Sequence, residues 1–257
     1  MHNIHTLLEK EAFPVKCWGL SDQGCVRQQN QDAYQIVQLD RSTLLCVLCD
    51  GMGGAKSGNI ASKLAVDVFV QEVRQNHKPG MTKEQIDQML RSSAKLANFT
   101  VYDQARQFED FAGMGTTLVG AYVTGNRATV VNVGDSRCYA VNAEGIQQVT
   151  VDHSLVQMML SRGELTPEQA RTYPGKNYIT RAIGTEPTVD CDLFRRTMNH
   201  GDALLLCSDG LHGVVDDQEI LYEIVHGADQ ENCCRRLLDI ALMRGAPDNV
   251  TSVLVVA

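Results

Sequence analysis

Five aspartates stand at the margins of apolar segments: Asp32 before Tyr34 to Val37, Asp50 after Leu44 to Cys49, Asp135 after Val130 to Val133, Asp209 after Ala203 to Cys207, and Asp248 just before Val250 to Val256. Strand ends hold side chains rigidly, so such carboxylates are candidates to converge. Two unit charges about 4 Å apart repel by roughly 4 kcal/mol at an effective dielectric near 20. Protonation or bound cations must relieve that. Aspartate oxygens, helped by a backbone carbonyl beside a glycine, suit hard octahedral Mg²⁺ or Mn²⁺ better than thiol-loving zinc. The chemistry this suggests is a two-metal hydrolytic centre, in which one carboxylate bridges two ions that lower the pKa of a shared water and stabilise a phosphoryl group. Gly51, directly after Asp50, lets the backbone approach an ion closely.

Arg27 lies five residues before Asp32 in Arg27-Gln28-Gln29-Asn30-Gln31-Asp32, so one extended segment can bring a cation and an acid to the same pocket. Arginine's forked donors match a phosphate dianion. Taken alone, Arg27 reads more readily as a solvated surface residue. An internal echo adds weight: Leu44 to Gly54 resembles Ala203 to Gly213, each an apolar run that ends in Asp-Gly. Asp-Gly by itself is an ordinary turn signal. Gly51-Met52-Gly53-Gly54-Ala55-Lys56-Ser57 fails the phosphate-binding template G-x-x-x-x-G-K-[ST], because Asp50 and Ala55 stand where glycines are required. A glycine-rich exit into a helix beginning at Gly58 explains those residues better. Cys46 and Cys49 have CxxC spacing, but on a strand residues three apart point to opposite faces, which argues against zinc or redox chemistry. His153 and His212 lie near these motifs and read as hydrogen-bonded structural residues without a catalytic assignment.

These acids need strands and covering layers to position them. Short β-branched or aliphatic runs predict strands at Leu44 to Cys49, Thr117 to Val123, Ala128 to Val133, Arg137 to Val141, Ala203 to Cys207 and Val250 to Val256. Helical periodicity covers Gly58 to Gln75, Thr82 to Phe108, Asp217 to Val225 and Gln230 to Arg244. Adjacent Cys233 and Cys234 fall in the last of these as packing residues. Strands gathered centrally with helix pairs between them predict a layered α+β domain, not βαβ alternation. The 257 residues suit a single domain over 1–257, with the more polar stretch from Asp152 to Pro187 as an insertion or flap.

Hydrophobic residues make up 44% and charged residues 21%, which excludes wholesale disorder. Net charge is -8, from 23 Lys plus Arg against 31 Asp plus Glu, which disfavours nucleic acid or an anionic membrane as partner. No run of about 18 apolar residues occurs, and Met1 to Thr6 lacks a basic segment followed by an apolar one, so neither a membrane span nor a secretion signal is expected. Nine scattered cysteines fit reduced thiols in the cytoplasm.

In order, Arg27 to Asp32, Asp50-Gly51-Met52-Gly53-Gly54, Gly115-Thr116-Thr117, Gly134-Asp135-Ser136-Arg137, Ser208-Asp209-Gly210 and Asp248-Asn249 resemble the PPM family of metal-dependent protein phosphatases, also called protein phosphatase 2C. The resemblance spans Gly19 to Val256. It implies a four-layer α-β-β-α sandwich of two antiparallel sheets flanked by helix pairs, with two Mg²⁺ or Mn²⁺ ions at one end. By that resemblance Asp50 bridges both ions, Gly51 offers its carbonyl to one, and Asp209 and Asp248 complete the other. Asp32 acts through metal-bound water, Asp135 shares a weaker third ion with Asp209, and Arg27 binds phosphate. The stretch from Asp152 to Thr185, with Asp152-His153-Ser154, resembles the flap of compact bacterial members.

The activity so implied is hydrolysis of phosphoserine and phosphothreonine in proteins by direct attack of water, with no phosphoenzyme. The implied partners are phosphorylated proteins and an opposing bacterial serine/threonine kinase, and the implied state is a cytoplasmic monomer. Two positions depart from the family pattern. Gln31 stands where glutamate is frequent, and Met52 stands where some members place a histidine that protonates the leaving alkoxide. Two other functions compete: a phosphoprotein-binding module without turnover, which the full set of aspartates disfavours, and a metal-dependent nuclease, which the net charge disfavours.

Overall fold

A computed structural model describes residues 15–53, 57–175 and 178–257. In chain order its strands are β1 (Lys16–Asp22), β2 (Asp32–Asp40), β3 (Thr43–Met52), β4 (Gly115–Thr116), β5 (Leu118–Thr124), β6 (Arg127–Val133), β7 (Arg137–Asn142), β8 (Gly145–Gln148), β9 (Asp192–Thr197), β10 (Ala203–Cys207) and β11 (Val250–Val256). The helices are α1 (Gly58–Asn76), α2 (Lys83–Gln107), α3 (Leu155–Ser161), α4 (Pro167–Arg171), α5 (Asp209–His212), α6 (Asp217–Val225) and α7 (Cys233–Met243). One sheet has the order β1-β11-β10-β7-β8 and the other β2-β3-β5-β6-β9, with β4 paired to β3; all pairings are antiparallel.

The continuous apolar runs are explained by the layers on either side of them. A strand covered on both faces has no polar positions to alternate with. In β3, Leu45, Val47 and Cys49 pack with α1 and α2 residues such as Ala65, Phe69 and Leu90, while Leu44, Cys46 and Leu48 point between the sheets. In β10, Leu205 and Cys207 meet Ile220 and Leu237 of α6 and α7, while Leu204 and Leu206 join the layer between the sheets. Three apolar layers therefore separate four structural layers, and the α-β-β-α sandwich is the fold. Cys46 and Cys49 fall in different layers, so the CxxC spacing holds no shared site. All nine cysteines are free thiols.

Each long helix buries one stripe. In α1 the buried residues include Ala61, Ala65, Phe69 and Val73, at the four-residue spacing that one helix face requires. The α2 start is fixed by Thr82, whose hydroxyl accepts from the Gln85 N–H while the Gln85 side chain accepts from the Thr82 N–H. Asp216 and Glu219 cap α6 in the same way.

Five strands extend or depart from the sequence reading. Only Tyr34 to Val37 of β2 is legible as an apolar segment, and β1, β4, β8 and β9 carry no such signal. Four of these five, β1, β8, β2 and β9, are the outer strands of the two sheets. Outer strands carry polar residues such as Arg195 and Arg196 of β9, which blunts the apolar pattern. Asp50 lies inside β3, two residues before its end, and Asp209 opens the short helix α5. The polar stretch 152–187 is not irregular throughout, since it contains α3 and α4, capped by Ser154 and Thr166. Among the described residues no helix is long and apolar enough to cross a membrane.

Candidate active site

Strand pairing brings the acids together. In the β2·β3 register Asp32 stands directly opposite Asp50. The turn between β6 and β7 carries Asp135, the exit of β10 carries Asp209, and the approach to β11 carries Asp248. The charges of Asp32, Asp209, Asp135 and Asp248 all reach Asp50. All five predicted aspartates are therefore assembled at one end of the sandwich.

Burial sets their electrostatics. Burial first, then the charges of Asp32 and Asp209, pushes the Asp50 carboxyl well above its ordinary range. Asp209 is raised by burial and by Asp248, with partial relief from a side-chain hydrogen bond to Asp50. Burial raises Asp32 to about 7 against the opposing effect of its hydrogen bonds. Burial also raises Asp135 to about 7, with Asp209 and Asp152 adding to the shift and Arg137 opposing it. Without cations, protons must take their place.

Short side chains fix each acid. One oxygen of Asp32, Oδ2, accepts from Ser208 Oγ at 2.8 Å and Thr251 Oγ1 at 2.6 Å. Its other oxygen, Oδ1, is buried with no hydrogen-bond partner. Thr116 Oγ1 donates to the Asp50 carbonyl at 2.7 Å, and the Asp50 N–H donates to Thr117 Oγ1 at 2.9 Å. Thr117 Oγ1 in turn shares a hydrogen bond with Ser136 Oγ, beside Asp135. At Gly51 a Cβ would stand 2.1 Å from the Gly58 carbonyl and 2.6 Å from that of Gln31, so only glycine fits. Gly134 takes φ +106 against Thr117, which lets the Asp135 turn close onto β5.

Arg27 reaches the same end of the molecule, where its Nη2 donates to Asp248 Oδ2 at 2.6 Å. The guanidinium is about half exposed and also feels the charges of Asp209 and Asp50. Asn249 sets the loop that carries it: Oδ1 accepts from the Gln31 N–H, and Nδ2 donates to the carbonyls of Gln23 and Gln29. Sequence reading placed Asn249 in a motif but assigned no role to it, nor to Thr116, Thr117, Ser136, Ser208 and Thr251. The available signal was position, since Ser136 follows Asp135 directly and Ser208 precedes Asp209.

His153 and His212 have structural partners. His153 Nδ1 accepts from the Gly134 N–H at 3.0 Å, and its Nε2 lies within hydrogen-bond distance of both Asp192 and Arg181. His212 Nε2 contacts the Asp135 carbonyl, and burial and Arg137 hold its imidazole below the ordinary range. Of the two departures, Gln31 supplies a carbonyl to the Gly51 N–H at 3.1 Å, and Met52 ends β3. Gly54, Ala55 and Lys56 of the glycine-rich exit lie outside the described residues.

A cation site is supported by an orphaned buried carboxylate oxygen on Asp32, by carboxyls raised through burial and mutual repulsion, and by an all-oxygen donor set. Among the described residues no three acid, histidine or cysteine side chains already stand close enough to enclose one ion. The residues fit hard divalent cations.

Residues 26–239 match the family model described as protein phosphatase 2C. The chain is 34% identical over 239 residues to the serine/threonine phosphatase stp of Listeria monocytogenes, covering 91% of this chain and 93% of that protein. It superposes on the serine/threonine phosphatase Stp1 of Staphylococcus aureus with a TM-score of 0.89 at 37% identity, covering 95% of each chain. The catalytic domain of the serine/threonine protein phosphatase PstP, solved with two manganese ions, gives a TM-score of 0.79 at 33% identity over 94% of this chain and 97% of that one. The fold, the assembled aspartates and these likenesses agree, and the chain belongs to the protein phosphatase 2C family as a serine/threonine phosphatase.

Proposed function

We propose that the chain removes phosphate from phosphoserine and phosphothreonine in proteins by direct attack of water, with two Mg²⁺ or Mn²⁺ ions held by its aspartates. The observation that carries this reading is Asp32 facing Asp50 across β2 and β3, with Asp32 buried and one of its carboxylate oxygens unpartnered. Asp50 would join the two ions, the Gly51 carbonyl would complete one, and Asp209 and Asp248 the other. Asp135 and Asp209 would share a weaker third. Ions so placed lower the pKa of a water and stabilise charge on the phosphoryl oxygens.

The remaining work belongs to the protein. Arg27 binds the phosphoryl oxygens through its forked donors, exchanging Asp248 for substrate. Asn249 holds the loop so that this guanidinium stays over the acids. Asp32 orients water through Oδ1, while Ser208 and Thr251 fix Oδ2. The partner is a phosphorylated protein, the opposing enzyme a serine/threonine kinase, and the setting the cytoplasm, as a monomeric single domain.

Hydrolysis of a phosphothreonine peptide in Mn²⁺, with and without chelator, tests the reading. Turnover that chelator abolishes, with no acid-stable phosphoprotein trapped by quenching, is expected. Equal rates with chelator contradict it.

A further inference from the structure

Beside the acid cluster lies a groove of about 860 Å³, walled by Val156 and Leu160 of α3 on one side and by Val214, Val215, Asp216 and Asp217 at the start of α6 on the other. Asp135 and Asp209 form its inner end, so it is continuous with the active site. Its volume lies within the range of recognition pockets, large enough for several side chains. The wall on the α3 side is tied at its root: Arg137 makes a forked ion pair with Asp152, and His153 is bonded to Gly134 beside Asp135.

The charges lining this groove have one sign left over. Both arginines in it are already engaged, Arg137 by Asp152 and Arg244 by Glu219. Cations held by Asp135 and Asp209 would cancel those two carboxylates. Asp216 and Asp217 remain at the outer rim, both exposed, and neither enters an ion pair among the described residues. Both stand at the N-terminus of α6, but Asp216 caps the helix and also feels the charge of Arg244, so Asp217 is the less compensated of the two.

We propose that this groove seats the residues flanking the phosphorylated side chain and selects substrates that carry lysine or arginine there, a specificity resting on the phosphatase reading above. The apolar walls take the aliphatic stem of such a side chain while its charged end meets Asp217 at the rim. Among the described residues lining the groove, a peptide with acidic flanks finds no unpaired guanidinium and two carboxylates against it.

The test compares two phosphothreonine peptides that differ only in arginine or glutamate at the two positions on each side of the phosphothreonine. The arginine peptide is expected to be favoured about ten-fold in kcat/KM, through KM, because charges at a partly exposed rim each contribute modestly. Asp217→Lys, and separately the D216N/D217N pair, which keeps a capping side chain, should bring that ratio close to one while p-nitrophenyl phosphate turnover stays unchanged. Equal use of both peptides by the native chain, preference for glutamate, or a ratio untouched by either variant overturns the proposal. Fluorescence anisotropy of the two dephosphorylated peptides reads the groove without catalysis: tighter binding of the arginine peptide, lost in Asp217→Lys, is expected. Absence of turnover on every phosphate ester with that difference intact would refute the phosphatase reading and leave the groove standing.

Discussion

In the proposed function, a phosphoryl group entering the pocket would compete with Asp248 for the half-exposed Arg27 guanidinium. Substrate binding and acid neutralisation would then be linked at one residue: what releases Asp248 from Arg27 would also free a donor fork for phosphate. Truncation in Arg27→Ala removes charge-assisted bonds worth roughly 1.5–3 kcal/mol, so kcat/KM for a phosphopeptide should fall about 10- to 100-fold. Steady-state kinetics checks this. The identities of Arg27, Asp32, Asp50, Asp135, Asp209 and Asp248 were legible in the sequence because each acid adjoins an apolar run and each stands in a motif. Their supports were not: Thr251 lies 219 residues from Asp32 and Ser208 lies 176 away, and only the folded sheets bring these hydroxyls to one carboxylate. The pairing of Arg27 with Asp248, 221 residues distant, was hidden for the same reason.

At the level of elements, the centre depends on two sheets staying in register. Asp32 and Asp50 belong to neighbouring strands of one sheet, whereas Ser208 and Thr251 flank the other, so the Asp32 hydrogen bonds cross the sandwich. Leu205 is fully buried between β10 and the α6–α7 layer. Leu205→Ala should destabilise the fold by about 2–5 kcal/mol, measurable by denaturant unfolding, through lost burial and the cavity left behind. The central strands and the four long helices were readable because burial on both faces makes strands continuously apolar and one-sided burial gives helices their period. Outer strands such as β9, with Phe194 followed by Arg195 and Arg196, lack that pattern because they pair with a strand on one side only and carry polar residues. The helices of the 152–187 stretch, at seven and five residues, are too short for periodicity to register.

For the whole molecule, the acid cluster makes cation-free stability depend on pH. Asp32 and Asp135 are raised to about 7 from 3.8, and burial and neighbouring carboxylates hold Asp50 well above its ordinary range. Raised carboxyls bind more protons in the native state than in the unfolded state, so stability falls as pH rises between the two values. In chelator the melting temperature should decline from about pH 4 to about pH 7, and Asp50→Asn should flatten that decline. Thermal unfolding across this range checks it; a melting temperature that climbs would contradict the burial of charge described here. Divalent cations replace those protons, so added Mn²⁺ should restore stability most at the high end of the range. The centre's dependence on Asp50 is tested most directly by phosphate release from a phosphothreonine peptide, titrated with Mn²⁺, for the native chain and Asp50→Asn side by side. Saturable Mn²⁺ activation in the native chain and loss of nearly all turnover in the variant at every concentration are expected. Comparable turnover in Asp50→Asn would contradict it.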